Sequence, residues 1–470
     1  MPDVDTTAFD ALVDETVHDR SLVGLAVGVV GNGHVVYRKT VGKDSSSSTQ
    51  AVTQSSHFRL ASISKTLTAI AVMQLVEQGR LTIDDLANDH LTSIRLQHTG
   101  AKTPPVLIRH LLTHSAGLTE PLRWRDARPS RVLGPKVGRP VPSISSMYAP
   151  VMRPHFEPGT RWMYSNDGFA VLGQLVEDVA GRPLGEHLTV NVLQPLGMTH
   201  TVHIPGPADL AARGHRIKRG RVKQTVPRNV PNLAAGGWYS TLEDMLAYSA
   251  HLGGILGGQH PEILSADTFN LMCQPAVFLG DRVPFQGLCF FLDEEDGHRT
   301  VFHGGDYPGY EAALFVAPDD GMAVVVLTNT SAQGAAQRLA RRLLRSALGL
   351  PTSLPIGHPE AKLDDRLVPE LTGSYAAGRG SRNLRLLALT GGRLTVRSSG
   401  GQLTMRGRLG PLRRPVLLEP ADPADTLRFR FLLRSSLYDE FPIDVVFARD
   451  AHGHVRWLDL GLIGARLTRS

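Results

Sequence analysis

Phe58-Arg59-Leu60-Ala61-Ser62-Ile63-Ser64-Lys65 opens a long element that runs to Arg80. From Ser62 onward apolar residues recur at Ile63, Leu67, Ile70, Ala71, Val72, Leu75 and Val76, and Gly79 follows. This pattern predicts a mostly buried helix with a glycine stop. Ser62 and Lys65 stand three residues apart, so both side chains share one face near the helix start. Developing negative charge is favoured there. A serine hydroxyl becomes an effective nucleophile when a neighbour takes its proton. A neutral lysine can do so, and burial or a nearby cation promotes that form. Chance supplies such a spacing about once in a chain this long. A capping serine beside an exposed lysine would explain it equally well. The apolar flanks Leu60, Ala61, Ile63 and Leu67 instead place Lys65 on a buried helix.

Two further stretches gain meaning beside it. Tyr164-Ser165-Asn166 precedes a second helical pattern, Asp167 to Ala180, stopped by Gly181. A phenol can relay a proton, and an amide two residues on can hold a substrate carbonyl. His303-Gly304-Gly305-Asp306 ends a strand-like run at 299–303. Small residues there let a substrate lie against the backbone, and a backbone N–H can complete an oxyanion hole. Each stretch alone reads as ordinary packing: a tyrosine at a helix start, a satisfied histidine before a turn.

Working outward, residues 6–19 predict a helix, and Leu22–Val30 and His34–Val41 a hairpin around Gly31-Asn32-Gly33. Residues 120–158, rich in Pro, Arg and Ser, predict a long loop or lid. A second hairpin is centred on Arg219-Gly220-Arg221 within 208–235. Helices are expected at 240–252 and 333–348, and strands at 285–292, 310–317 and 322–328. Strands at both ends with helices between predict an α+β domain over 1–349, a mixed antiparallel sheet covered by helices. Residues 350–366, with three prolines, read as a linker. Residues 367–470 change to short alternating runs between turns, predicting a separate antiparallel β-barrel or sandwich.

The chain has 470 residues, 42% hydrophobic and 20% charged, with a formal charge of +6. That balance suits globular domains and excludes global disorder. The basic residues are scattered and mostly arginine, without interleaved aromatics, so no nucleic-acid partner is expected. Cys273 and Cys289 alone make neither a disulfide framework nor a metal site, and read as buried small hydrophobes. No metal-ligand spacing is present, and no metal or other cofactor is expected. The start, Met1-Pro2-Asp3-Val4-Asp5, carries no basic-then-apolar leader, and no apolar run approaches a membrane span. A cytoplasmic protein without a membrane partner is expected.

Taken in order, the three motifs resemble the serine β-lactamase and penicillin-binding-protein superfamily, in particular its class C-like branch of esterases, D-stereospecific peptidases and D,D-carboxypeptidases. Leu111-Leu112-Thr113-His114-Ser115-Ala116-Gly117-Leu118, Glu157-Pro158-Gly159-Thr160 and Ala235-Gly236-Gly237-Trp238-Tyr239-Ser240-Thr241 carry the resemblance further, across about residues 10–348. It implies Ser62 as nucleophile, Lys65 as its base partner and Tyr164 as proton relay. It implies Asn166, Gly304 and Gly305 as substrate contacts, with His303 in the place of the third-motif Lys or His. The backbone N–H groups of Ser62 and Asp306 would form the oxyanion hole. The Asp306 carboxylate is unusual at that position and is expected to repel a substrate carboxylate, which speaks against ordinary β-lactam hydrolysis. His114 has no catalytic counterpart and reads as structural.

Within the superfamily the sequence is similar to stand-alone thioesterases of the penicillin-binding-protein type. Those pair the catalytic domain with a small lipocalin-like β-domain. They take a peptidyl thioester from a carrier protein of a nonribosomal synthetase and cyclise it head to tail. The size and place of 367–470, Trp238 in the Gly-Gly loop as a pocket residue, and arginine usage typical of a high-GC genome favour this reading. A basic β-domain residue, Arg449, is expected to reach the active site. A cytoplasmic esterase or D-stereospecific peptidase is the alternative. A catalytically inert binding or sensor module on the same fold is a third reading, opposed by three intact motifs.

Overall fold

Unbroken apolar runs at Leu25–Val30, Ala312–Ala317 and Ala323–Leu327 are those of strands covered on both faces. In the computed structural model they form the centre of a sheet. The structure describes residues 6–97, 104–118, 134–136, 146, 151–203, 212–218, 220–257, 263–354, 356–378, 384–434, 439–461 and 463–470. Two units are distinguished, Met1–Gln274 with Gln286–Thr352, and Pro275–Phe285 with Ser353–Ser470.

In the first unit, strands β1 (Gly24–Gly31), β2 (His34–Gly42), β3 (Phe291–Glu295), β4 (His298–Tyr307), β5 (Tyr310–Ala317) and β6 (Met322–Thr328) lie in the order β2-β1-β6-β5-β4-β3. Every neighbouring pair is antiparallel. Alternation divides the apolar residues between two cores. Ala26, Val30, Leu314, Val316, Val325 and Leu327 join one cluster with helices α2 (Ser64–Glu77), α3 (Asn166–Ala180) and α4 (Leu242–Gly254). Val27, Val29, Phe315, Val324 and Val326 join another with α1 (Thr6–Arg20) and α5 (Ala335–Ala347). Helix α2 is buried on all sides from Ser64 to Leu75, as expected of a helix apolar all round. The strand expected at 285–292 is interrupted, since Gly287–Phe290 is not strand and β3 begins at Phe291. Of the expected lid at 120–158, residues 120–133, 137–145 and 147–150 lie outside the described residues.

The second unit is a closed eight-stranded antiparallel barrel: β7 (Gly373–Ala376), β8 (Arg393–Ser399), β9 (Gln402–Gly407), β10 (Val416–Pro420), β11 (Arg428–Arg434), β12 (Asp439–Arg449), β13 (Val455–Leu460) and β14 (Ala465–Arg469). Closure comes from Tyr375 and Ala376 of β7 pairing with Arg469 and Thr468 of β14. Tyr375, Leu394, Val396, Phe431, Phe447 and Leu458 fill its interior. A helix, Leu384–Thr390, was not legible among the alternating runs. The hairpin Pro275–Phe285 belongs to this unit, although it lies within residues 1–349, which the sequence assigns to the first domain. Polar contacts hold it: the Gly280 N–H donates to Asp459 (2.6 Å), the Arg282 guanidinium to Asp425 (2.7 and 3.0 Å), and Arg466 bridges Asp281 and Asp459.

Candidate active site

Ser62 lies in a short 3₁₀ turn, Ala61–Ile63, that runs directly into α2. Ala61 just before it has φ +46°, a left-handed conformation that a non-glycine residue adopts at a cost. Phe58 and Arg59 pair with Ser240 and Tyr239, and the Leu60 N–H donates to the Trp238 carbonyl at 3.0 Å. The segment 235–241 therefore clamps the turn that carries Ser62.

Lys65 is fully buried. Its Nζ donates to Ser62 Oγ (3.1 Å), Asn166 Oδ1 (2.8 Å) and the Ala235 carbonyl (2.7 Å). These partners match an ammonium's three donors. Asn166 is the first residue of α3, and Ser165 caps that helix by accepting the Gly168 N–H at 2.8 Å. Asn232 links the two fixed acceptors. Its Nδ2 donates to the Asn166 carbonyl (2.8 Å), and its Oδ1 accepts the Ala235 N–H (3.1 Å). The Tyr164 ring lies 4.8 Å from Lys65 Nζ. His114 supports it from behind: its ring is 4.4 Å from that of Tyr164, and its Nδ1 accepts the Ser165 N–H (3.1 Å). The structural role expected for His114 matches this position.

His303 is 1% exposed, and its ring lies 6.5 Å from that of Tyr164. Its Nδ1 donates to the Gly304 carbonyl at 2.7 Å, which fixes Nε2 as the acceptor of a neutral ring. Nε2 is buried and makes no hydrogen bond among the described residues. Burial first, then the Lys65 charge, pushes the His303 pKa down to about 3. The imidazole is thus neutral at physiological pH.

Strand β4 outruns its neighbour β3. The last pair is Phe291 with Phe302, so His303 to Tyr307 pair only with β5. A Cβ on Gly305 would stand 2.1 Å from the Leu60 carbonyl oxygen, which places β4 directly against the Ser62 turn. A Cβ on Gly304 would point the other way, toward Gln337 of α5. By alternation Asp306 shares the Gly304 face. Its cross-strand partner Glu311 confirms the side by accepting N–H groups of Ala332 (2.6 Å), Gly334 (3.1 Å) and Ala336 (3.3 Å) at the start of α5. The Asp306 carboxylate is therefore turned to the sheet face opposite Ser62. The repulsion of a substrate carboxylate expected from the sequence does not follow. Burial, then the Asp306 charge, raises the Glu311 carboxyl to about 8.

Trp238 does not line an open pocket. It is 1% exposed, belongs to the core around α2, and stacks on His203 with ring centroids 5.6 Å apart. Arg449, at the end of β12, pairs with Glu370 and donates to the Gly453 carbonyl, both within its own unit. Sequence reading passed over Arg59. Its guanidinium, 1% exposed, stacks between the rings of Tyr239 (4.3 Å) and Tyr307 (4.1 Å) and donates to the Arg228 carbonyl and the Tyr239 hydroxyl. It thereby ties the segment before Ser62 to the residue after Asp306. The partners lie about 180 and 250 residues away, so no local pattern announces them.

The family described as Beta-lactamase matches residues 9–348. Esterase EstB of Burkholderia gladioli is 33% identical over 365 residues, 69% of this chain and 90% of that protein. The D-aminopeptidase of Brucella anthropi is 26% identical over 75% of this chain and 64% of its own. Among solved structures, that of SurE with D-Leu superposes with a TM-score of 0.63 at 22% identity, covering 99% of this chain and 100% of SurE. At that identity the likeness is one of fold.

Proposed function

Because the chain belongs to the Beta-lactamase family of serine hydrolases and acyltransferases, we propose that Ser62 is its nucleophile and that it acts as a stand-alone thioesterase, releasing a carrier-bound peptide and closing it head to tail. The observation that carries the chemistry is Lys65, held by Asn166 and Ala235 with its third contact on Ser62 Oγ. In the neutral amine the two fixed acceptors keep both N–H groups, and the lone pair faces the serine.

Ser62 Oγ attacks the thioester carbonyl carbon while its proton passes to Lys65 Nζ. The N–H groups of Ser62 and Asp306 receive the developing oxyanion. The C–S bond then breaks, and Tyr164 gives a proton to the departing thiolate. In the second half the peptide's own amine attacks the acyl carbon and loses a proton toward Tyr164. The C–O bond to Ser62 breaks, and the serine regains its proton from Lys65. The net change is thioester plus amine to amide plus thiol. Asn166 contacts the substrate amide, and the His303 Nε2 lone pair accepts a hydrogen bond at the pocket wall.

The reading is supported by the barrel that the sequence resemblance calls for. SurE, solved with D-Leu, and the penicillin-binding protein homologue of Pyrococcus abyssi share the fold over both units, whereas the EstB match spans 69% of the chain. A D-residue at the acyl position is the matching substrate feature. Hydrolysis by water, as in an esterase or D-stereospecific peptidase, is the second reading, favoured by the 33% identity to EstB. The test offers a peptidyl thioester with a C-terminal D-residue. Cyclic product supports the cyclase; linear acid alone across varied sequences gives the hydrolase reading. No turnover and no fluorophosphonate adduct on Ser62 would leave the inert binding module.

A further inference from the structure

One hairpin of the first unit has a charge pattern that the acyl-transfer chemistry does not use. Residues 213–228 contain five arginines and two lysines and no Asp or Glu. His215–Lys218 and Arg221–Gln224 pair antiparallel, with Arg216 opposite Lys223 and Lys218 opposite Arg221. Like charges placed directly across a ladder destabilise it. All four side chains are exposed, and none makes an ion pair or hydrogen bond among the described residues. The other face behaves differently. His215 is buried and bonded to Ser46 and Asn329, while Ile217 and Val222 form an apolar pair, each 37% exposed. Val226 beyond them is 58% exposed.

The hairpin stands at the rim of the site. The His215 N–H donates to the Gly309 carbonyl (3.1 Å), in the turn that follows Asp306 and Tyr307. The Tyr310 hydroxyl donates to the Ala212 carbonyl (2.9 Å), and the Gly309 N–H to Ser331 Oγ (2.8 Å). The Arg216 charge is felt at the Tyr307 phenol.

We infer that this hairpin is the docking surface for an acidic protein domain that delivers the acyl group to Ser62. The inference rests on the thioesterase reading above. A cationic face on a hairpin whose own residues 213–228 include no Asp or Glu is relieved by a negative partner, and it steers association. The four cationic side chains are exposed, unlike the lining of a small-molecule pocket. A membrane fits less well. Interfacial anchoring uses Trp, Phe or Leu flanked by cations, whereas here the cations face away from the apolar pair and residues 213–228 hold no Trp, Tyr, Phe or Leu. That same lack removes the stacking platform of a single-strand binder.

The test compares two substrates with one acyl group: a small soluble thioester, and the same peptide on a recombinant acidic carrier domain. The triple variant Lys218→Glu, Arg221→Glu, Lys223→Glu should retain wild-type kcat/KM on the small thioester. It should lose about tenfold or more on the carrier-bound one. Wild-type turnover of the carrier substrate should fall between about 50 and 300 mM salt, and the variant's should not. Equal rates for wild type and variant on the carrier would overturn the docking surface. So would retention of the effect by vesicles of anionic lipid, if they bind wild type and not the variant while carrier turnover is unchanged. Failure of wild type on both thioesters would instead refute the thioesterase reading. Loss of the small-thioester rate in the triple variant is checked with Lys223→Gln alone, where an unchanged carrier rate counts against docking.

Discussion

Lys65 Nζ reaches Ser62 Oγ, Asn166 Oδ1 and the Ala235 carbonyl, and the last two are themselves fixed by Asn232. Ser62→Ala should therefore remove turnover by about 10⁴-fold or more and abolish fluorophosphonate labelling, with an unchanged melting curve. His303 makes a pH prediction. Its pKa is pushed from 6.5 down to about 3 in the folded protein, by burial and then by Lys65. Unfolding releases it to take up a proton below 6.5, so its contribution to stability is full above that pH and falls as pH drops toward 3. Urea midpoints should decline between pH 7 and 4, and less steeply in His303→Gln. His110, His187, His203 and His215 are lowered by burial in the same direction, so the difference between the two proteins is the readout. Arg59→Met keeps the volume of the side chain but loses the cation between two rings. It should cost about 1–3 kcal/mol of stability and lower kcat more than it raises KM, because Tyr307 adjoins Asp306.

At the scale of elements, the end of β4 carries the most weight. Gly305→Ala drives a Cβ into the Leu60 carbonyl and must push the strand off the Ser62 turn. A loss of about 10²–10³ in kcat is expected in a steady-state assay. Gly304→Ala meets only the amide tip of Gln337, which can swing aside, and should be far milder. Much of this layer was legible: α3 is expected from 167 and begins at Asn166, and the pairs at 310–317 and 322–328 sit where their apolar runs lie. The strand expected to end at 303 runs on to Tyr307. Glycines lower β propensity, and only the partner β5 decides that they stay extended. Trp238 misled for the same reason: neighbours in sequence do not say whether an indole turns to a pocket or to the core. The three motifs were readable because each is local; Arg59, Asn232 and Glu311 act through partners far along the chain.

Across the whole chain, the second unit is built from two separate stretches, Pro275–Phe285 and Ser353–Ser470. Asp459 is 4% exposed and serves both the Gly280 N–H and Arg466. Asp459→Ala leaves them without that acceptor and should destabilise the barrel by about 1–3 kcal/mol. Limited proteolysis should then cut first near residues 280–282; an unchanged pattern would count against these contacts. The barrel itself was legible from its alternation, while the attachment of 275–285 was not, because nothing in an eleven-residue hairpin names its partners.

That shared ownership bears on how such genes are inherited. The simplest exchange between two relatives is one crossover in the linker after Thr352. It would give the offspring one parent's barrel and the other parent's hairpin. Gly280, Asp281 and Arg282 would then meet unfamiliar counterparts of Asp459, Arg466 and Asp425. Recombination should thus be tolerated only between parents that match at these six positions, or when two crossovers carry the hairpin along with the barrel.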